Sequence, residues 1–180
     1  LDDLSHRKER LEDVIEDTTR RGGTLMIPAF AMERTQELIY EIHRLMDENR
    51  IPKILVFVDS PLALKLTAVY ERYMDYLDPS AHTSLDGGRQ LFNFPMLRTT
   101  LTKEESKMIN DVKPPKVVIA GAGMSNGGRI LHHEMRYLPD PKSTLLFIGY
   151  QSPGTLGRKL FDGAKNVRVL GENIEVRWRI

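Results

Sequence analysis

The sequence contains no cysteine, which excludes disulfide bonds, thiolate metal sites and cysteine nucleophiles together. It also lacks a strong excess of charge of one sign, because 26 basic residues face 25 acidic ones and leave a formal net charge of +1. No global field therefore attracts nucleic acid, and any anion site has to be a local patch. No apolar run approaches the roughly 20 residues that a membrane helix needs, so we expect no membrane partner.

The start of the chain lacks two further signals. Its first ten residues are charged throughout, with no signal peptide and no initiator methionine. Together with the absence of cysteine, this favours a reducing compartment, and we expect a cytoplasmic protein. We also expect that the chain starts inside a longer one.

The length of 180 residues, with 41% hydrophobic and 28% charged residues, is typical of one soluble domain with a real core. Apolar residues at helical spacing predict helices over residues 5–21, 33–49, 61–77, 128–138 and 155–161, and a short helix that ends at residue 110. Short apolar runs predict strands over residues 24–27, 54–58, 117–120, 144–148, 167–170 and 174–180. This alternation predicts an α/β fold with a mostly parallel sheet and helices on both faces, a Rossmann-like three-layer domain.

Two segments depart from the regular pattern. Residues 78–101 are the least regular part of the chain, and the following stretch from Thr102 to Glu105 resembles a capping box that is short by one residue. The last predicted strand alternates strictly and carries Trp178, so we expect one of its faces to be exposed or to contact something outside this chain.

A strand, a glycine-rich loop and a helix follow one another over residues 117–133. Such a unit can present backbone N–H groups to an anion such as a phosphate, or it can be a tight turn needed only for packing. The glycines stand in the spacing G-x-G-x-x-x-G, and Asp140 precedes the next strand rather than ending it. This is not a dinucleotide fingerprint, so we expect no nicotinamide or flavin cofactor.

Four loops that follow predicted strands should meet at one edge of a parallel sheet. They offer donors to phosphate oxygens and little acid–base machinery, which favours contacts that position a phosphodiester backbone. Helix capping and solvated surface are the alternative roles for the same side chains, which are Arg34, Ser60, Ser125, Asn126, Arg129, Gln151, Thr155 and Arg158.

The five histidines stand in no metal-binding spacing, so we expect no metal site within the chain. His132 and His133 are neighbours on a helix, which predicts that one packs and the other is solvated. Asp59, at a strand end, is placed like a catalytic carboxylate, but it could equally hold loops together. A self-contained α/β enzyme acting on a nucleotide or sugar phosphate through Asp59 and the glycine loop is therefore one possible function.

Four blocks, in order along the chain, resemble a known family. They are GGTLMIPAFAMERTQE at residues 22–37, DSPLA at residues 59–63, GAGM with GGRILHH within residues 121–133, and GYQ with GTLGR within residues 149–158. The family is the β-CASP ribonucleases of the metallo-β-lactamase superfamily. The resemblance covers nearly the whole chain.

The resemblance implies a cap domain cut out of a zinc-dependent ribonuclease, a hydrolase of RNA phosphodiester bonds. The family's H-x-H-x-D-H motif is missing here, so two zinc ions are expected in an absent metallo-β-lactamase domain, and this chain alone should be catalytically silent. Residues 1–170 would form the β-CASP domain, and residues 171–180 would start the return into the catalytic domain. The implied partners are single-stranded RNA and that missing domain.

By motif position, six residues become candidates for lining the RNA cleft: Arg34, Ser60, Met124, Arg129, Gln151 and Thr155. No catalytic residue and no metal ligand is assigned within the chain. The remaining alternative is a protein-interaction module that docks a partner, or forms a homodimer, through the exposed last strand.

Overall fold

Uninterrupted apolar runs build the central strands of the sheet, because both of their faces are covered. The computed structural model describes residues 4–76 and 91–177. The strands of the main sheet are β1 (Thr24–Pro28), β2 (Leu55–Asp59), β3 (Leu97–Thr99), β4 (Lys116–Ala120) and β5 (Thr144–Leu145). They lie in the order β3-β2-β4-β1-β5, and each neighbouring pair is parallel.

Side chains that alternate along the strands face two separate helical layers. The helices α1 (Leu4–Arg21), α2 (Arg34–Asp47) and α3 (Pro61–Arg72) pack on one face, against residues such as Leu25 and Val117. The helices α4 (Lys103–Met108), α5 (Ile130–Tyr137) and α6 (Leu156–Phe161) lie on the other face. There α5 and α6 pack in one cluster with Met26, and Ile109, which follows α4, packs in a second cluster with Val118. The predicted three-layer α/β fold with a mostly parallel sheet is confirmed.

A two-stranded antiparallel hairpin completes the second layer. It consists of β6 (Asn166–Val169) and β7 (Glu172–Glu175), joined by Leu170 and Gly171. Both turn residues have positive φ, 49° and 92°, as a type I′ turn requires. The apolar side chains of β6 pack against α5 and α6.

Pro28 ends the pairing between β1 and β5. Met26 accepts a hydrogen bond from the backbone N–H of Leu146 at 2.9 Å, so the backbone groups of residues 26 and 28 point towards β5. The next ladder bond would need an N–H at position 28, which proline does not have. β5 therefore stops at Leu145, and the prediction of a strand over residues 144–148 is too long.

Several other predicted bounds are corrected. α3 ends at Arg72 and is followed by a 3₁₀ turn (Met74–Tyr76), and α5 begins at Ile130 rather than at residue 128. The irregular region contains the edge strand β3, which the sequence pattern did not predict. The predicted strands over residues 167–170 and 174–180 are corrected to β6 (Asn166–Val169) and β7 (Glu172–Glu175), so the last strand starts earlier and ends at Glu175 within the described residues. Residues 77–90 and 178–180 lie outside the described residues, so nothing further is said of the start of the irregular region or of Trp178.

The capping box at α4 is complete rather than short by one residue. The hydroxyl of Thr102 accepts from the N–H of Glu105, and the Glu105 carboxylate accepts from the N–H of Thr102. Glu105 occupies the third helical position, where a capping box places its glutamate. Within the described parts of the chain, no helix is long and apolar enough to cross a membrane.

Candidate nucleic-acid interface

The carboxyl ends of the five parallel strands bring their following loops to one edge of the sheet, which we call the carboxyl edge. The loops follow β1 at residues 29–33, β2 at Ser60, β3 at residues 100–102, β4 at residues 121–129 and β5 at residues 146–155. Ligands of open parallel sheets gather at such an edge. The four loops that the sequence predicts to converge therefore meet, and the loop after β3 joins them.

Asp59 is the centre of a buried polar network at this edge. Its Oδ1 accepts from the Thr100 hydroxyl at 2.5 Å and from Nη1 of Arg129 at 2.7 Å. Its Oδ2 accepts from the Ser106 hydroxyl at 2.6 Å and lies 2.7 Å from Nε2 of His133. The carboxylate is fully buried, and its four partners tie β2 to the loop after β3, to α4 and to α5.

These partners also set the charge state of Asp59. Burial would raise the pKa of the carboxyl, but hydrogen bonds from His133, Ser106, Thr100 and Arg129 outweigh burial and hold the pKa well below its usual range. Asp59 therefore stays ionised. With both oxygens engaged, the geometry supports its structural role of holding loops together rather than a catalytic one.

The guanidinium of Arg129 is drawn into this network. Besides Asp59, it donates from Nη2 to the carbonyl of Leu101 at 2.8 Å and from Nη1 to the carbonyl of Thr100 at 3.2 Å. The neighbouring pair of histidines behaves as predicted, since His133 is buried against Asp59 and His132 is exposed.

The glycine loop after β4 closes on itself. The N–H of Ile130 donates to the carbonyl of Gly121 at 3.0 Å, and the N–H of Ala122 donates to the carbonyl of Gly127 at 3.1 Å. Gly128 has a φ of 73°, and a Cβ there would lie 2.3 Å from the Gly121 oxygen, so only glycine fits. These contacts support the packing role of the loop, because its own carbonyl takes the first N–H of α5.

A second buried carboxyl lies beneath the same loop. Ser125, in the left-handed region with a φ of 52°, donates its hydroxyl hydrogen to Oε1 of Glu134 on α5. Oε2 of Glu134 has no hydrogen-bond partner among the described residues. Burial raises the pKa of Glu134 to about 7, against the opposing effect of the Ser125 hydrogen bond.

The loops after β4 and β5 are joined through Gln151. Its side-chain Nε2 donates to the carbonyls of Gly123 and Gly149, both at 3.1 Å. The N–H of Gly157 donates to the Met124 carbonyl at 3.1 Å, and a Cβ on Gly157 would lie 1.9 Å from Oε1 of Gln151. Two hydrogen bonds therefore join the loop after β4 to the segment after β5.

The six predicted RNA-lining residues thus all lie at the carboxyl edge, in different roles. Ser60 and Thr155 cap α3 and α6 with their hydroxyls. Gln151 and Arg129 bind other loops, and Met124 is half-buried. Arg34 is half-buried, with 38% of its side chain exposed and Nη1 2.6 Å from Glu37. Their contact with RNA stays a prediction.

A cavity of about 630 Å³ opens beside β5, where its ladder with β1 has ended. It lies between the first turns of α1, the first turns of α2 and residues 146–150, and we call it the α1–β5 groove. Its polar lining is formed by Arg7, Lys8, Arg10, Arg34, Glu37 and Glu41. Tyr150 stands at its wall with 69% of the residue exposed.

The described residues do not fit a zinc site. Within residues 4–76 and 91–177, no group of three or more histidine, cysteine, aspartate or glutamate side chains could hold a metal ion. Asp59 and His133 are close together, but the Arg129 guanidinium occupies the same carboxylate. We therefore derive no metal-dependent step from this chain.

Several residues of this edge could not be recognised from sequence patterns. Thr100, Ser106 and Glu134 carry no motif of their own, and only the fold brings them to Asp59 and Ser125. Two basic residues of α1 were a usable signal for a functional surface. Arg7 and Arg10 lie in the first two turns of the helix, where the helix macrodipole disfavours cations.

Comparisons with known proteins agree on one family. A family model for the Beta-Casp domain matches residues 35–160. The chain is 36% identical over 165 residues to ribonuclease TTHA0252 of Thermus thermophilus, covering 92% of the chain and 38% of that protein. It is 30% identical over 173 residues to an RNase J-like protein of Methanocaldococcus jannaschii, covering 96% of the chain and 39% of that protein.

A third relative is named for a different function. Transcription termination factor FttA of Methanosarcina mazei is 30% identical over 171 residues, covering 94% of the chain and 27% of that protein. The chain thus spans about a quarter to two-fifths of the length of the curated relatives it matches.

Proposed function

Because the chain belongs to the β-CASP domain family, we propose that it is the RNA-binding cap of a zinc-dependent ribonuclease whose catalytic domain lies in another part of the parent protein. Two of the relatives carry ribonuclease names, which supports the hydrolase class of the parent. The chain spans less than half of each of these relatives, which supports a domain that works with further chain. That further chain is a metallo-β-lactamase domain in this proposal.

The observation that carries the proposal is that hydrogen bonds join the loops of the carboxyl edge to one another. Asp59 fastens the loops after β2 and β3 to α5, and Gln151 fastens the loop after β4 to the loop after β5. Fixed loops can hold a flexible single strand because the protein loses little conformational freedom on binding. Around this platform Arg34 and Asn126 offer donors for backbone oxygens, and Phe30 offers an exposed aromatic face.

In this proposal the chain positions RNA and does not cleave it. The residues with donors at the edge bind and orient phosphate oxygens, whereas Asp59 keeps its charge within the protein. The competing proposal of a self-contained enzyme would need Asp59 to act on a substrate. Four donors within 2.7 Å of its oxygens argue against that role.

A titration of the ¹⁵N-labelled chain with single-stranded RNA of about eight nucleotides tests the proposal, since single-strand sites span about 4–16 nucleotides. We expect amide shifts at Arg34, Ser60, residues 124–129 and residues 151–158. We also expect weak affinity, because the chain has a net charge of only +1. The affinity should fall steeply with salt, because the attraction to phosphates comes from the release of counterions. A matched RNA duplex is the control and should shift these amides less. A folded chain without shifts at the carboxyl edge would contradict the proposal.

Cleavage is measured in the same samples. Labelled RNA should stay intact after incubation of the purified chain with zinc or manganese. Cleavage that follows the chain through purification would contradict the proposed division between cap and catalytic domain.

A further inference from the structure

The α1–β5 groove combines the size of a ligand pocket with an excess of positive charge. Its volume of about 630 Å³ falls within the range of about 300–1,000 Å³ that is usual for small-molecule sites. Four cationic side chains and two carboxylates line it, which leaves two positive charges in excess. The chain as a whole has a net charge of only +1, so this groove is a concentrated basic patch.

Two of these cations take part in ion pairs. Lys8 pairs with Glu48 at 2.9 Å. Arg34 pairs with Glu37 through Nη1, while 38% of its side chain stays exposed. Exposed pairs of this kind are worth little and can be exchanged for a stronger anion. A phosphate with bidentate geometry is such an anion for arginine.

The lower part of the groove is apolar. Leu11 of α1, Leu38 of α2 and Leu146 and Ile148 of the segment after β5 line it, and each also packs on the core cluster of that face. An inorganic anion would leave this apolar surface without a partner. A ligand with a flat, weakly polar part and a charged part matches both halves of the groove.

Tyr150 supplies a surface for a ring. It is 69% exposed at the wall of the groove. It lies between Gly149 and Gln151, and the Gln151 side chain donates a hydrogen bond to the Gly149 carbonyl. Exposed aromatic side chains beside basic grooves stack the bases of single-stranded nucleic acids, and the stacking tolerates any base. The groove therefore offers an aromatic ring, apolar side chains and cations, which together match the base and the phosphate of one nucleotide.

We propose that the α1–β5 groove binds one unstacked nucleotide of single-stranded RNA, with its base against Tyr150 and its phosphate at the cations of α1 and Arg34. This subsite rests on the proposed RNA-binding function and extends it to the first turns of α1, which the family motifs do not include. It gives the cap a contact beyond the glycine loop, on the far side of β1 in the sheet.

Two variants with matched controls test the subsite. Tyr150→Ala removes the stacking surface, and Tyr76→Ala changes another exposed tyrosine, 87% exposed, in the 3₁₀ turn after α3. Arg34→Gln removes a rim cation, and Arg20→Gln removes a 76% exposed arginine at the opposite end of α1. All four positions are accessible, and circular dichroism checks that each variant is folded.

Fluorescence anisotropy with labelled oligouridylate of about eight nucleotides, and with an abasic oligomer of the same length, gives the readout. We expect Tyr150→Ala to weaken oligouridylate binding by roughly 5- to 150-fold, and to leave binding of the abasic oligomer unchanged. Arg34→Gln should lower the slope of log affinity against log salt by about 0.7 for both oligomers. The two controls should match the unchanged chain.

The outcomes separate the subsite from the proposed function. If the unchanged chain binds RNA and Tyr150→Ala binds it equally well, the subsite is wrong and the cap function stands; a groove that accepts a protein segment would give this result. Equal weakening for both oligomers would refute base stacking. No RNA binding at low salt would overturn the subsite and the cap function together.

Discussion

The buried carboxyl of Glu134 predicts a loss of stability as the pH rises, and replacing it with glutamine should abolish that loss. The residue is fully buried, and beyond Ser125 its carboxyl has no further hydrogen-bond partner in the described chain. Burial raises its pKa from the ordinary 4.5 to about 7. Glu134→Gln keeps the shape and the acceptor for the Ser125 hydroxyl, and it removes only the ionisation.

The sign follows from linkage. Because the pKa of Glu134 is raised in the folded chain, the unfolded chain releases the proton first as the pH increases. The stability contribution of the neutral carboxyl is complete below pH 4.5 and is lost as the pH rises through about 7. The difference between a pKa of 4.5 and one of about 7 corresponds to about 3 to 4 kcal/mol, at about 1.4 kcal/mol per pH unit. Glu134→Gln should gain up to this amount above about pH 8 and nothing near pH 4.

Urea unfolding followed by circular dichroism at a series of pH values measures the difference between the two proteins. Other groups titrate in both, so the difference isolates Glu134. Glu172→Gln, at an exposed position of β7, is the matched control and should show no dependence on pH of this kind. A difference that stays constant between about pH 5 and about pH 8 would refute the reasoning, since Glu134 would then be ionised throughout.

Three further predictions concern the packing of the carboxyl edge. Asp59→Ala should cost about 3–5 kcal/mol of unfolding free energy in urea titrations, because it leaves the partly buried guanidinium of Arg129 without its carboxylate. In the unchanged chain the contribution of Asp59 is present above its unfolded pKa and is lost as the pH falls through the lowered pKa, so the difference in stability between the two proteins should shrink as the pH falls. Thr102→Ala should lower the unfolding free energy by about 1 kcal/mol through loss of the capping box; an unchanged midpoint would contradict this. Gly157→Ala should lower the thermal midpoint far more than Gly127→Ala, because its Cβ would lie 2.8 Å from the Met124 oxygen whereas position 127 is open.

The sequence could predict the main elements because their signals are local. Apolar runs of four or five residues marked β1, β2 and β4, and helical spacing marked the helices that cover them. The order of strands in the sheet was not predicted, because register and neighbour choice depend on contacts between distant segments. The short edge strand β3 also carries no signal, since two of its three residues are exposed.

The candidate site shows the same division. Ser60, Arg129 and Gln151 lie at the carboxyl edge, as their positions after predicted strands indicated. The hydrogen bonds of Arg129 and Gln151 could not be predicted, because their partners are distant in the sequence. The buried pair of Ser125 and Glu134 could not be predicted, because a glutamate on a helix is normally solvated. Burial of this carboxyl appears only when α5 is docked on the sheet.

The proline at the end of β1 has a consequence for how this surface can change. The ladder beside β5 stops where one backbone nitrogen lacks a hydrogen, and this limit is set by Pro28 rather than by the side chains that line the groove. Substitutions of the lining residues can therefore change the chemistry of the groove without restoring this ladder bond.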